Sequence, residues 1–294
     1  MVKSNPSLLR RGLGYLKRKV KERRRFNEER KLKGSAVLPL KYFHGTLNVG
    51  DVLNVYLTEA ISGRTVKSVE TDAVPHVLGV GSIMHFGSPN SWVWGSGVID
   101  PNQPFDYAQL TASQICAVRG HKTLALLREK GLEVGDVPLG DPAILMPEIY
   151  RPEQAEPRYD VGIVAHYVDE ELETVQALAS KLNARLISVR QHPEAFINEL
   201  VECRTILSSS LHGLILADSY AIPNLWVRFS DKVLGGDFKF LDYYSTTSAE
   251  TPKAYEVHSL DDVEQLVQQL RDKVTVHHYQ GNTAELRAAL PLQN

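Results

Sequence analysis

The sequence predicts an α/β chain of two domains with mainly parallel sheets, preceded by a basic helical arm. Three observations carry this reading. Short apolar runs bounded by glycine alternate with segments of helical period, which is the pattern of strand, crossover helix and parallel strand. A Pro-rich, charged stretch at residues 148–156 divides that alternation in two. A length of 294 residues with 43% hydrophobic composition suits two domains of ordinary size and excludes a disordered, collagenous or disulfide-stapled chain. The expected division is an arm at 1–34, an N-terminal domain at 35–150, a C-terminal domain at 157–250 and a helical segment at 251–294.

The arm comes first and carries the charge asymmetry. Residues 1–33 hold 13 Lys/Arg against 3 Glu, or +10, and residues 34–294 hold 20 basic against 32 acidic groups, or −12; together they give the net −2. Leu9, Leu13, Leu16 and Val20 line one face of a helix, and Arg10, Arg11, Lys17, Arg18, Lys21 and Arg24 fill the rest. Such a segment fits an anionic membrane surface, where each basic group contributes about 1 kcal/mol. A solvated tail and a helix docked on the acidic body are the competing readings, since Gly12 and Gly14 each cost about 1 kcal/mol of helix propensity. With only Tyr15 and Phe26 for base stacking, no nucleic-acid partner is expected.

After the Gly34-Ser35 break, strands are expected at 38–43, 77–80 and 115–118 and helices at 52–61 and 123–130; Gly140-Asp141-Pro142 closes the unit. Beyond the linker, strands at 160–165, 185–189, 205–207 and 224–227 alternate with helices at 170–182, 193–202 and 211–220, and a final helix covers 263–273. No run approaches the ~18 apolar residues of a spanning helix, and the N-terminus lacks a secretory-type apolar stretch. A cytoplasmic protein, peripheral on the inner face of a membrane, is therefore expected. Cys116 and Cys203 show no metal or redox spacing and read as buried apolar residues; no metal and no cofactor is expected.

Ligands in parallel sheets sit at the carboxyl ends of strands, so the segments there matter most. Ser208-Ser209-Ser210-Leu211-His212-Gly213 runs from a strand into a helix, with a serine as N-cap and His212 in the first turn. Backbone N–H groups at such a start attract anions, and Ser209 or Ser210 could add a hydroxyl donor. His212 could change protonation with ligand state, as a general acid must. Asn48 and Asp51 lie in a loop with two glycines and offer short polar groups suited to sugar hydroxyls, although Asp51 as a plain N-cap competes. Arg119 at a strand end could grip a carboxylate or phosphate. Lys239, between aromatics after Gly235-Gly236, would sit on a mobile loop, and His166 is a rim candidate. Gly79-Val80-Gly81-Ser82 lacks the full dinucleotide fingerprint, since position 84 is Met.

Taken together, these segments resemble the polysaccharide pyruvyl transferase family, in its exopolysaccharide ketal-forming branch. The resemblance runs from about Leu38 to Tyr244. It lies in Asn48-Val49-Gly50-Asp51, the stretch ending Trp94-Gly95-Ser96-Gly97, Val118-Arg119, Gly140-Asp141-Pro142, the Ser208 to Gly213 segment and Phe238-Lys239-Phe240-Leu241-Asp242-Tyr243-Tyr244. It implies two Rossmann-like domains in a GT-B-like arrangement facing across an interdomain cleft. It also implies phosphoenolpyruvate as donor and a sugar of a lipid-linked oligosaccharide or polysaccharide repeat unit as acceptor, bridged as a cyclic pyruvate ketal with release of phosphate. Family members commonly carry an Arg two residues before the motif His. Here that position is Ser210, and Lys239 is the expected substitute. On this resemblance His212 and Asp51 are the expected acid and base, and Arg119, Ser209, Ser210, Leu211, Lys239, Asn48 and His166 the substrate-binding residues. A GT-B glycosyltransferase using a sugar nucleotide and a non-catalytic carbohydrate-binding assembly protein remain the alternatives.

Overall fold

A computed structural model describes residues 37–153 and 156–291. The basic arm and its membrane reading lie outside the described residues. The N-terminal sheet contains β1 (Leu38–Leu40), β2 (Val66–Ser68), β3 (His76–Leu78), β4 (Ser91–Trp94) and β5 (Ile115–Ala117), all parallel, in the order β2-β1-β3-β4-β5. The C-terminal sheet contains β6 (Gly162–Val164), β7 (Arg185–Leu186), β8 (Ile206–Ser208), β9 (Asn224–Arg228) and β10 (Tyr255–Glu256), also parallel, in the order β10-β9-β8-β6-β7. Counted within each domain, both sheets have the order 2-1-3-4-5. That order reverses between the first and third strands, which opens a crevice beyond their carboxyl ends.

The connecting helices explain the parallel pairing. Helix α1 (Val49–Ser62) joins β1 to β2, burying Leu53 and Leu57 and ending at Gly63 in the left-handed region. Helix α2 (His121–Glu129) follows β5, and a 3-10 turn (Pro142–Leu145) leads into α3 (Met146–Ile149). The C-terminal domain adds α4 (Glu173–Leu182), α5 (Pro193–Val201), α6 (Leu211–Ser219), α7 (Phe238–Tyr244) and α8 (Leu260–Lys273). Helix α6 is mostly buried, with Leu211, Leu214, Ile215, Leu216 and Ala217 in the core and His212 and Ser219 partly exposed.

One apolar core runs through the domain boundary. Leu53, Leu57 and Trp94 of the first domain cluster with Leu145, Phe196, Leu214 and Tyr243. Separate clusters pad the outer faces, around Leu78 and Leu127 in one domain and around Ile163, Leu178 and Leu266 in the other. The chain also crosses back at its end. Helix α9 (Thr283–Ala288) packs on the N-terminal domain, with Trp94 Nε1 donating to the Leu286 carbonyl at 2.7 Å and Arg287 paired to Glu148 at 3.1 Å.

The sequence reading and the structure differ at identifiable places. Strands β2, β4 and β10 were not expected. Glu148 and Ile149 belong to α3, so the linker begins two residues later than expected. Residues 255–256 complete the C-terminal sheet, so the segment after residue 250 is built into both domains. Cys203 is buried, whereas Cys116 is partly exposed.

Candidate active site

Loops at the carboxyl ends of the two sheets meet each other. In the N-terminal domain the crevice is formed by the loops after β1 and β3, which carry Asn48, Asp51 and Gly79 to Ser82. In the C-terminal domain it is formed by the loops after β6 and β8, which carry His166 and Ser209 to His212. The backbones meet directly, the Val49 N–H donating to the Val189 carbonyl at 2.8 Å.

His212 projects from the first turn of α6 into the opposite domain. A Cβ at Gly50 would lie 2.1 Å from His212 Nδ1, so only glycine leaves room for the ring there. On the ring's other edge, Nε2 lies 3.7 Å from Asp141 Oδ2, an ion-pair distance too long for a hydrogen bond. Nε2 accordingly has no hydrogen-bond partner although it is buried. Asp141 is fully buried and accepts from the Ala143 N–H at 3.0 Å and the Gly81 N–H at 3.4 Å, so its carboxylate is fixed beneath the ring. In the sequence Asp141 registered only within the Gly140-Asp141-Pro142 turn; nothing in its spacing links it to His212, 71 positions away.

Asp51 differs from the expected cap. Helix α1 begins at Val49, and Asn48 is the N-cap, its Oδ1 accepting from the Gly50 N–H at 2.9 Å. Asn48 is thereby drawn into helix capping, and Asp51 is released from it, within the first turn and close enough to His212 to interact with it. Burial pushes the Asp51 carboxyl up to about 6, while His212 and His44 pull it the other way. A carboxyl poised there can exchange a proton near neutral pH.

The start of α6 has no side-chain cap. Ser210 is the N-cap residue, as expected, but makes no side-chain capping bond, and the N–H groups of Leu211, His212 and Gly213 have no acceptor among the described residues. Ser209 Oγ is already engaged, donating to Asp169 Oδ2 at 3.3 Å and accepting from the His166 N–H at 2.9 Å. Ser210 is the serine whose hydroxyl is left for a ligand.

Two buried cations stand beside this helix start, in different circumstances. Arg119 is fully buried and its whole fork is taken: Nε by Asp242 Oδ2 at 2.9 Å, one terminal nitrogen by the Val98 carbonyl at 2.8 Å and the other by the Ser82 hydroxyl. Asp242 also accepts from the Thr123 N–H at 2.8 Å and the Thr123 hydroxyl at 2.7 Å, so this ion pair ties the two domains together. In this structure Arg119 grips Asp242.

Lys239 is the other cation. Instead of a mobile loop, its surroundings form helix α7, and its side chain is only 7% exposed. Its Nζ lies 5.3 Å from the centre of the Phe240 ring and has no hydrogen bond or ion pair among the described residues. Burial, reinforced by Arg119, pulls its pKa down to about 8. Burial and Lys239 together pull His166 down to about 4, leaving that imidazole neutral at physiological pH.

The fold and the site thus define an α/β protein of two parallel five-stranded sheets that brings a helix start, a histidine and a titratable carboxyl together where loops of the two sheets meet. A model of the polysaccharide pyruvyl transferase family matches residues 86–231. An uncharacterized protein of Acanthamoeba polyphaga mimivirus is 31% identical over 220 residues, covering 72% of this chain and 75% of that protein. The chain belongs to the polysaccharide pyruvyl transferase family, and membership implies a transferase that acts on polysaccharide. Among the described residues no helix is long and apolar enough to cross a membrane.

Proposed function

We propose that the protein transfers pyruvate from phosphoenolpyruvate to a sugar residue of a bacterial exopolysaccharide or cell-surface glycan repeat unit, forming a cyclic ketal and releasing phosphate. The observation that carries this reading is that His212 and Asp51 meet at the uncapped start of α6, while Lys239, which has no protein acceptor among the described residues, is close enough to act on His166, whose N–H is bonded to the neighbouring Ser209. Phosphoenolpyruvate brings a carboxylate and a phosphate, which suits an ammonium and free backbone N–H groups.

In the reaction, His212 delivers a proton to the methylene carbon of the donor and leaves an oxocarbenium-like carbon. A sugar hydroxyl adds to that carbon as Asp51, ionised above about pH 6, takes its proton. The carbon–phosphate oxygen bond then breaks, with the departing charge stabilised by Lys239 and the α6 N–H groups. The second hydroxyl closes the ring. Two hydroxyl protons are released in total; one replaces the proton now in the new methyl group and the other leaves on phosphate, so the site returns to its starting state.

The test is incubation with phosphoenolpyruvate and a membrane fraction containing lipid-linked oligosaccharide. The expected outcome is inorganic phosphate release together with the pyruvate ketal mass increment on the glycan. Release of a nucleoside diphosphate from a sugar nucleotide would instead identify a glycosyltransferase, and neither product would leave a carbohydrate-binding role. The basic residues 1–33 belong to the same reading, holding the acidic body near an anionic inner leaflet. Their deletion is expected to reduce co-sedimentation with anionic vesicles at low salt while sparing turnover on a soluble acceptor.

A further inference from the structure

A second recess lies next to the start of α6 and is unused by the chemistry above. Between the end of β9 and the start of α7 the chain arches away from the sheet over residues 229–237 and leaves a cavity of about 430 Å³. That volume falls in the range of small-molecule sites, roughly 300–1,000 Å³. Trp226 and Phe240 supply an apolar wall, their rings stacked at 4.5 Å and 18°. Ser209, the residue preceding the N-cap of α6, forms the side shared with that helix start.

The arch is held in place. Gly235 adopts φ +84°, and a Cβ there would lie 2.1 Å from the Ile99 carbonyl oxygen, so the loop rests directly on the N-terminal domain. Arg228 reaches back to Asp237 and, at 2.9 Å, to Glu256. The cavity is therefore preformed and opens beside the interdomain crevice.

Its charge balance selects among ligands. Arg228 is neutralised by two carboxylates, and the exposed Lys232 sits next to the exposed Asp231. A phosphate or nucleoside diphosphate finds no unpaired buried cation here, in contrast to Lys239. A neutral polyhydroxylated ring finds what it needs: an apolar wall for its C–H face, and carboxylate and guanidinium groups for its hydroxyls. We propose that this cavity is a saccharide subsite that seats a neutral sugar unit of the acceptor adjoining the unit that reacts. The shared wall at Ser209 then directs the next ring toward His212. This assignment rests on the transferase reading for the word acceptor, but not for the binding itself.

The experiment is an array of neutral oligosaccharides probed with the full chain, alongside Asp231→Trp, which places bulk in the cavity from an exposed position, and Asp231→Ala. Wild-type protein is expected to retain a subset of glycans, with binding weakened at least tenfold in Asp231→Trp and less in Asp231→Ala. Tryptophan emission should change on titration with a retained glycan, and that change should be lost in Trp226→Phe. Phosphoenolpyruvate should protect wild type and Asp231→Trp equally against thermal unfolding, which also certifies the variant as folded. Retention of no neutral glycan, equal retention by wild type and Asp231→Trp, or a Trp226 response to uridine diphosphate in place of glycans would overturn the proposal. Failure of phosphate release with glycan binding intact would count against the transferase reading alone.

Discussion

Arg119 and Lys239 are both buried cations at the same domain boundary, close enough to influence each other, yet their surroundings are opposite. Arg119 has three acceptors and no exposed surface; Lys239 has an aromatic ring and no acceptor. The protein uses the planar fork, which can satisfy several acceptors at once, to bind its own halves together. It leaves the point charge unsatisfied where a ligand arrives. A neutralised charge is structure, and an uncompensated one is affinity held in reserve.

The sharpest way to break this contrast is to remove each cation in turn, because stability should move in opposite directions. Arg119→Ala leaves Asp242 buried without its counter-ion and is expected to destabilise the chain by about 3–5 kcal/mol in denaturant unfolding. Lys239→Met removes a buried charge that nothing compensates. Its native pKa of about 8 lies below the ordinary 10.5, so the folded state disfavours the ammonium. That cost is fully present below pH 8 and fades as pH rises from 8 to 10.5. Lys239→Met should therefore be at least as stable as wild type at pH 7, and the difference should shrink by pH 10. A loss of stability at pH 7 comparable to that of Arg119→Ala would show the two cations to be alike.

His212→Ala is expected to lower phosphate release by a factor on the order of 100 or more with little change in thermal midpoint, as for loss of a positioned acid. Near-normal turnover in the folded variant would remove His212 from the chemistry. The smallest effect concerns Asp51. Its native pKa of about 6 lies above the ordinary 3.8, so ionised Asp51 costs stability, and this cost grows from pH 3.8 to 6 and persists above. Asp51→Asn should gain stability on the order of 1 kcal/mol at pH 7 and nothing below pH 3.8, while losing turnover. Equal stability at both values would place Asp51 in solvent.

Much of this arrangement was legible in the sequence, and the reasons for the remainder are physical. The strand-to-helix step at Ile206 to Gly213 announced α6 and put His212 in its first turn, because local apolar pattern and a serine cluster decide such features. The same local signals misplaced the start of α1, where Asn48 and Asp51 are both competent caps and the backbone uses the first. Helix α7 was hidden because its seven residues are nearly all apolar or buried, which erases the amphipathic period. The partners of the functional groups were beyond any sequence period: Asp242 stands 123 positions from Arg119, and Asp141 meets His212 only because two domains dock.

The most direct test of the claim that Lys239 holds the donor is the affinity for phosphoenolpyruvate, measured by titration calorimetry from pH 7 to 9.5 on wild type and Lys239→Met. The account predicts that wild-type affinity falls as pH rises through about 8, when the ammonium loses its proton. It also predicts that the variant binds about tenfold or more weakly at pH 7, as loss of a charged hydrogen bond entails, and shows no fall across this range. Equal affinity and an identical pH profile in the two proteins would contradict it and move the donor away from Lys239.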